Sequence, residues 1–112
     1  MNKVYLLGRI ARNFELKFFD GGKRCYVQFP LAINSHNKFT GEKITDYIDI
    51  VAFDKKAKVI SEYFSKGSQI SIEGHIQIGN YVDKNQQKRY SAKIILESFQ
   101  FWAIIIIEIE GQ

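Results

Sequence analysis

The chain has 112 residues, 46% of them hydrophobic and 25% charged, which is the composition of one globular domain with a core of its own. Sixteen Lys and Arg against twelve Asp and Glu give a net charge of +4, a modest bias toward polyanions, and no apolar run approaches the roughly 18 residues of a membrane span. The start, MNKVYLLGRI, has no signal-peptide h-region, and the single cysteine, Cys25, excludes an internal disulfide or a cysteine metal cluster; a cytosolic protein with a buried thiol is expected.

Residues Asn2 to Ala11 alternate in the period of a strand, with Val4, Leu6 and Gly8 on one face and Lys3, Tyr5, Leu7 and Arg9 on the other. Phe14 to Phe19 continues it, placing Leu16 and Phe18 opposite Glu15, Lys17 and Phe19, before the turn Asp20-Gly21-Gly22. The return strand, Arg24 to Asn34, has the clearest core face: Cys25, Val27, Phe29, Leu31 and Ile33. Tyr26, Gln28, Pro30, Ala32 and Asn34 face the other way, and Pro30, lacking a ladder donor, is expected at an edge or bulge. Ser35 to Glu42 is a polar loop whose Phe39 has little reason to be there unless it touches something.

Thr45 to Phe53, TDYIDIVAF, is the third strand. Ile48, Ile50 and Ala52 form an ordinary core face, whereas Tyr47, Asp49, Val51 and Phe53 combine two rings, a carboxylate and a valine. An open strand face with spaced aromatics is a platform on which bases can stack; the alternative is that a helix or a second subunit covers it. Asp54 is placed to cap a helix over Lys55 to Ser65, with Ala57, Ile60 and Phe64 inward, and Lys66-Gly67 ends it. Ser68 to Tyr81 is a long strand with Ile70, Ile72, Gly74, Ile76 and Ile78 inward and a bend or bulge at Gly74. The loop Asp83 to Lys88 leads to a last strand, Arg89 to Trp102.

Three strands, a short helix and two more strands form the pattern of an all-β, five-stranded Greek-key barrel of the OB-fold type, with the helix between the third and fourth strands. Residues 1–102 form this one domain, and 103–112 form a short apolar extension.

The strings NKVYLLGRI, GEKITDYIDIVAF, SEYFSKGSQISIEG and YVDKNQQKRY, in this order and nearly without gaps, resemble the bacterial single-stranded DNA-binding protein family from about Asn2 to Phe101. The resemblance implies an OB-fold, usually homotetrameric, that coats single-stranded DNA in replication, recombination and repair and needs no cofactor. It places base-stacking rings at Tyr47, Phe53 and Tyr81. A fourth family aromatic, in the loop after the second strand, has Phe39 as its nearest substitute, because this loop is about one residue short. Lys3, Lys55, Lys66 and Arg89 match positions that tend to be basic in the family, and with Arg9 and Lys88 they make six expected phosphate contacts; the bland reading of each is a solvated charge. Asp49, where a basic residue is often found, and the arginine-poor run Gln77, Gly79, Asn80 depart from the pattern and imply weaker electrostatics.

Other chemistries fit less well. A small OB-fold nuclease needs carboxylates converging on a metal, but Asp46 and Asp49 point to opposite strand faces, and His36 and His75 have no ligand-spaced partners, so neither catalytic nor metal residues are assigned. An OB-fold RNA binder or a dimeric replication-restart accessory protein is the remaining alternative. Family members usually continue into a long mobile tail with an acidic tip, whereas WAIIIIEIEGQ is apolar; it is expected to pack on protein surface, and tail-mediated recruitment of partners is doubtful. That segment, with the outward Tyr5 and Leu7, points to a closed homo-oligomer that hides apolar surface, and the resemblance implies that it is a tetramer.

Overall fold

The computed structural model describes residues 1–101. It contains strands β1 (Val4–Ile10), β2 (Lys17–Phe19), β3 (Arg24–His36), β4 (Lys43–Phe53), β5 (Gln69–Val82) and β6 (Lys88–Phe101), with one helix, α1 (Asp54–Tyr63). The sheet order is β1-β5-β6-β4-β3-β2, and a further pairing of Arg9 with Ala32 and Ile10 with Leu31 joins β1 to β3. The five long strands therefore close into a barrel, the OB-fold arrangement. The extension 103–112 and the residue expected to end the last strand, Trp102, lie outside the described residues.

Core residues come from the alternating faces. Phe29, Leu31, Ile50, Ile60 and Ile70 are fully buried, Cys25 and Val27 with them. Each large aliphatic or aromatic side chain so buried stabilises the barrel by about 1.5–3 kcal/mol relative to exposure. Ala57 and Ile60 of α1, followed by Phe64, join that core, as their spacing predicts. Two glycines let strands cross at close quarters. A Cβ at Gly8 would lie 2.4 Å from the Ala32 carbonyl oxygen, and one at Gly74, beside the expected bulge, 2.3 Å from that of Ile95.

Several sequence expectations require correction. Phe14 to Phe19 does not continue the first strand: only Lys17–Phe19 pairs, as the separate edge strand β2 against β3, so α1 lies between the fourth and fifth of six strands. The Phe14 ring packs on Phe29 with centroids 5.2 Å apart, drawing the backbone off the ladder, and Phe18 stays exposed. Asp54 does not cap α1. Phe53 holds the cap position without a side-chain bond, and the Asp54 carboxylate turns toward β3.

Pro30 sits within β3 opposite Asp49, not at an edge. Its carbonyl accepts from the Ala11 amide at 2.9 Å, so its nitrogen faces the point where β1 ends and proline forgoes the reciprocal bond to Ala11 there. Ile76 and Ile78 are exposed rather than inward. Among the described residues the β4–β6 ladder comprises Asp49–Lys93, Ile50–Ile94 and Val51–Ile95; Ile78, opposite Ala92, lies just beyond it, whereas Ile76, opposite Ile94, is level with it and exposed all the same.

Candidate nucleic-acid interface

Directly opposed residues on neighbouring strands share a face, so the register traces one surface across the barrel. Lys17 opposes Tyr26 and Phe19 opposes Arg24 across β2–β3; Tyr26 opposes Phe53, Gln28 opposes Val51 and Ala32 opposes Tyr47 across β3–β4. Asp49 opposes Lys93 across β4–β6, and Lys93 opposes Gln77 and Arg89 opposes Tyr81 across β5–β6. Phe19, Tyr26, Phe53, Tyr47 and Tyr81 therefore lie on one continuous outer face. Because β4 and β6 run parallel and part beyond Asp49–Lys93, Tyr47 and Tyr81 stand on two separate hairpin arms at the same end of that face.

The expected stacking rings occupy different surroundings. Tyr47 is 66% and Tyr81 55% exposed, as platform residues must be. Phe53 is half-buried: its ring centroid lies 6.4 Å from that of Phe19 and 6.5 Å from that of Tyr26, and Phe19 and Tyr26 are 5.9 Å apart. Phe39 is 99% exposed at the tip of the β3–β4 connection, where the Asn37 Oδ1 accepts from the backbone amides of Phe39 and Thr40.

Arg24 and Asp54 brace the aromatic cluster. The Arg24 guanidinium lies 5.1 Å from the Phe19 centroid and 5.5 Å from that of Phe53, and its Nη2 donates to Asp54 Oδ2 at 3.0 Å. The Cys25 amide donates to the other carboxylate oxygen at 3.3 Å. The Arg24 hydrogen bond, with that of Cys25, holds the Asp54 carboxyl below its ordinary range. Asp54 has a φ of 56, in the left-handed region that Asp tolerates better than most residues.

The expected phosphate-contacting cations are dispersed. Arg89 opposes Tyr81 and donates through Nε to Asp83 Oδ2 at 2.8 Å, so its charge sits beside that ring. The Asp83 carboxyl, held by the Gln87 amide and then by Arg89, lies below its usual range. Lys88 opposes Val82 on the reverse of the hairpin, where an opening of about 190 Å³ is lined by Asn80, Tyr81, Val82, Lys88 and Tyr90.

Arg9 donates to the Gly67 carbonyl at 3.0 Å and so approaches the turn that carries Lys66. Its ladder partner Gln69 is twelve residues of β5 from Tyr81, roughly 40 Å at about 3.3 Å per residue. Only a strand that travels around the barrel reaches both ends. Lys55 lies on the exposed side of α1, and Lys55, Lys66 and Lys88 have no ion pair among the described residues. Lys3 is engaged elsewhere: its ammonium hydrogen-bonds Glu97 and lies 3.6 Å from Glu73, and Glu97 also meets His75 Nδ1 at 3.0 Å. Bonds from Lys3 and then His75 keep the Glu97 carboxyl below its ordinary range, while the same pairing raises Lys3.

Phe19, Arg24, Tyr26 and Lys93 were not singled out from sequence. The outward position of Tyr26 was legible in the alternation of the second strand, but its proximity to Phe53 depends on register.

Comparison with known proteins shows the family of the chain. Residues 1–102 match the model of the Single-strand binding protein family. The chain belongs to that family. It is 36% identical over 101 residues to the "Single-stranded DNA-binding protein" of Clostridium perfringens, covering 90% of this chain and 65% of that protein. It is 38% identical over 101 residues to "Single-stranded DNA-binding protein 3" of Clostridium acetobutylicum, covering 90% and 70%. With a Staphylococcus aureus "Single-stranded DNA-binding protein 1" the identity is 35% over 102 residues, covering 90% and 65%. The chain thus spans about two thirds of the length of these family members.

Proposed function

We propose that this chain binds single-stranded DNA without sequence preference and coats it during replication, recombination and repair. The observation that carries this reading is the continuous outer face on which Tyr47 and Tyr81, exposed on two hairpin arms at one end, share a surface with the half-buried Phe53 farther along β4. Flat bases of any identity can stack on such rings, each contact worth about 1–3 kcal/mol. Arg89 beside Tyr81, and Lys55, Lys66, Lys88 and Arg9 around the barrel, supply phosphate neutralisation, with Phe39 closing over the strand from its loop. Lys3 contributes least, its charge being spent on Glu73 and Glu97.

The activity is binding and not catalysis, it needs no cofactor, and it places the protein in the cytoplasm at the nucleoid. The exposed Tyr5 and Leu7 on the outer face of β1 support a homotetramer in which a second copy covers them. A titration with poly-dT followed by intrinsic fluorescence, with competition by an RNA of equal length and by duplex DNA, tests the assignment. Preference for the single-stranded DNA is expected; tighter binding to duplex overturns the reading, and preference for RNA favours an RNA-binding role.

A further inference from the structure

Asp49 stands on the outer face between Tyr47 and Val51, opposite Pro30 on β3 and Lys93 on β6, at the rung where β4 and β6 part. Two other carboxylates beside the face are neutralised, Asp54 by Arg24 and Asp83 by Arg89. Among the described residues the Asp49 carboxylate has neither an ion pair nor a hydrogen bond. Its ladder partner is turned elsewhere: Lys93 lines the opening beside Tyr26, Val51 and Phe53, and Asp49 does not.

The Asp49 side chain is half-buried. A carboxylate so placed without a donor is destabilising, and it repels the phosphates of a bound strand. Both costs fall if the strand itself brings a donor. Residues two apart on one face of a strand lie about 6.6 Å from each other, close to the width of a base, so a base stacked on Tyr47 sets its edge beside Asp49. The neighbours along the face offer less to that edge. Val51 is apolar and buried, the Thr45 hydroxyl donates to Asn34 Oδ1 at 2.9 Å, and Asp46, opposite Ile33, belongs to the other face of the strand.

We propose that Asp49 biases the base composition of the bound strand: its carboxylate accepts a hydrogen bond from the exocyclic amino group of a base stacked on Tyr47, which favours cytosine and adenine over thymine at that position. A carboxylate is an acceptor only, and it is the side-chain type that accepts from the cytosine amino group in duplex recognition. Thymine carries carbonyl oxygens and no amino group, and those oxygens meet the carboxylate unfavourably. The inference rests on the single-strand reading and qualifies its sequence tolerance by a preference at one position per protomer. An acid on a face that phosphates cross lowers general affinity while widening the difference between bases.

The test titrates the full chain with oligo-dC and oligo-dT of equal length, two pyrimidine strands that differ at the groups in question. The ratio of the two affinities, dC over dT, is expected to fall roughly three- to tenfold in Asp49→Asn and Asp49→Ala and to stay near that of the parent in Asp49→Glu, which keeps the carboxylate. An oligomer of N4,N4-dimethylcytosine, which has no amino hydrogen, should lose more affinity for the parent than for Asp49→Ala. Thermal midpoints of the Asn and Ala variants should be no lower than the parent's, since each removes an unpaired, half-buried charge. An unchanged ratio in both variants, an equal loss on the two oligomers, or the same dimethyl effect in parent and Asp49→Ala overturns the role of Asp49 and leaves single-strand binding standing. Failure of the parent chain to bind either oligomer removes the broader reading and this one together.

Discussion

Arg24 Nη2 and Asp54 Oδ2 meet at 3.0 Å across the start of β3 and the start of α1, thirty residues apart in the chain. The pair is half-exposed, yet it fixes where the strand ends and the helix begins. Because pairing holds the Asp54 carboxyl below its ordinary value, its contribution to stability is present above the unfolded carboxylate range, near pH 4, and is lost as pH falls through the depressed value. Asp83 and Glu97 act in the same direction. Thermal midpoints are therefore expected to fall below about pH 4, and Asp54→Asn to flatten part of that fall. A separate strain effect is expected at neutral pH: with φ at 56, Asp54→Ala should be less stable than Asp54→Gly by about 1 kcal/mol, measured by urea unfolding.

The three rings expected from sequence should respond differently to truncation. Tyr47→Ala and Tyr81→Ala are expected to weaken poly-dT binding by about 1–3 kcal/mol each with little change in melting temperature, since both rings are largely exposed. Phe53→Ala should lower both quantities, because its ring packs against Phe19 and Tyr26. Phe39→Ala should have the smallest effect. Paired fluorescence titrations and thermal melts separate these cases.

Charge contacts should appear in the salt dependence. Log affinity is expected to fall linearly with log salt, by about 0.7 for each phosphate neutralised on a single strand. Lys55→Gln and Lys66→Gln should each reduce that slope. Lys3→Gln should leave it nearly unchanged and instead alter stability, since Lys3 pairs with Glu97 and Glu73. Asp49→Arg, opposite Lys93 on the proposed face, should tighten binding by removing repulsion of the phosphates.

Two glycines are expected to be intolerant. Gly8→Ala and Gly74→Ala would each drive a methyl group to within 2.4 Å and 2.3 Å of a backbone oxygen that cannot rotate away, so a loss of about 1–3 kcal/mol or more is expected in denaturant unfolding. Gly79→Ala is the control. There the nearest atom is the Ser91 hydroxyl at 3.2 Å, which can move.

Assembly is open to direct measurement. Light scattering at micromolar concentration is expected to give a tetramer mass, and Leu7→Glu on the exposed face of β1 to reduce it; a monomeric parent chain would rule the tetramer out.

Period-two alternation placed all five long strands, and the 3.6-residue spacing of Ala57, Ile60 and Phe64 placed the helix, because both patterns record which side chains leave water. Boundaries were legible where the chain signals them by turn chemistry, as at Asp20-Gly21-Gly22 and Gly67, all four with positive φ. Tyr47 and Phe53 could be read as an unusual outward pair from strand parity, and the family strings added Tyr81 and the cations.

Long-range pairing decided the rest. Alternation says which face a side chain is on but not what lies over that face, so Ile78, just beyond the β4–β6 ladder, and Ile76 beside it read as core although both are exposed. Parity likewise put Tyr26 outward, but only the register Tyr26–Phe53 and Phe19–Arg24 gathered three rings and a guanidinium into one cluster. Asp54 illustrates the same limit. From sequence it is a helix cap, a local role, and in the fold a charge-assisted bond to Arg24 and a backbone amide of β3 take its carboxylate instead. Local periodicity depends only on neighbours along the chain and so can be read from sequence, whereas register and ion pairing depend on contacts between segments that only the closed barrel brings together.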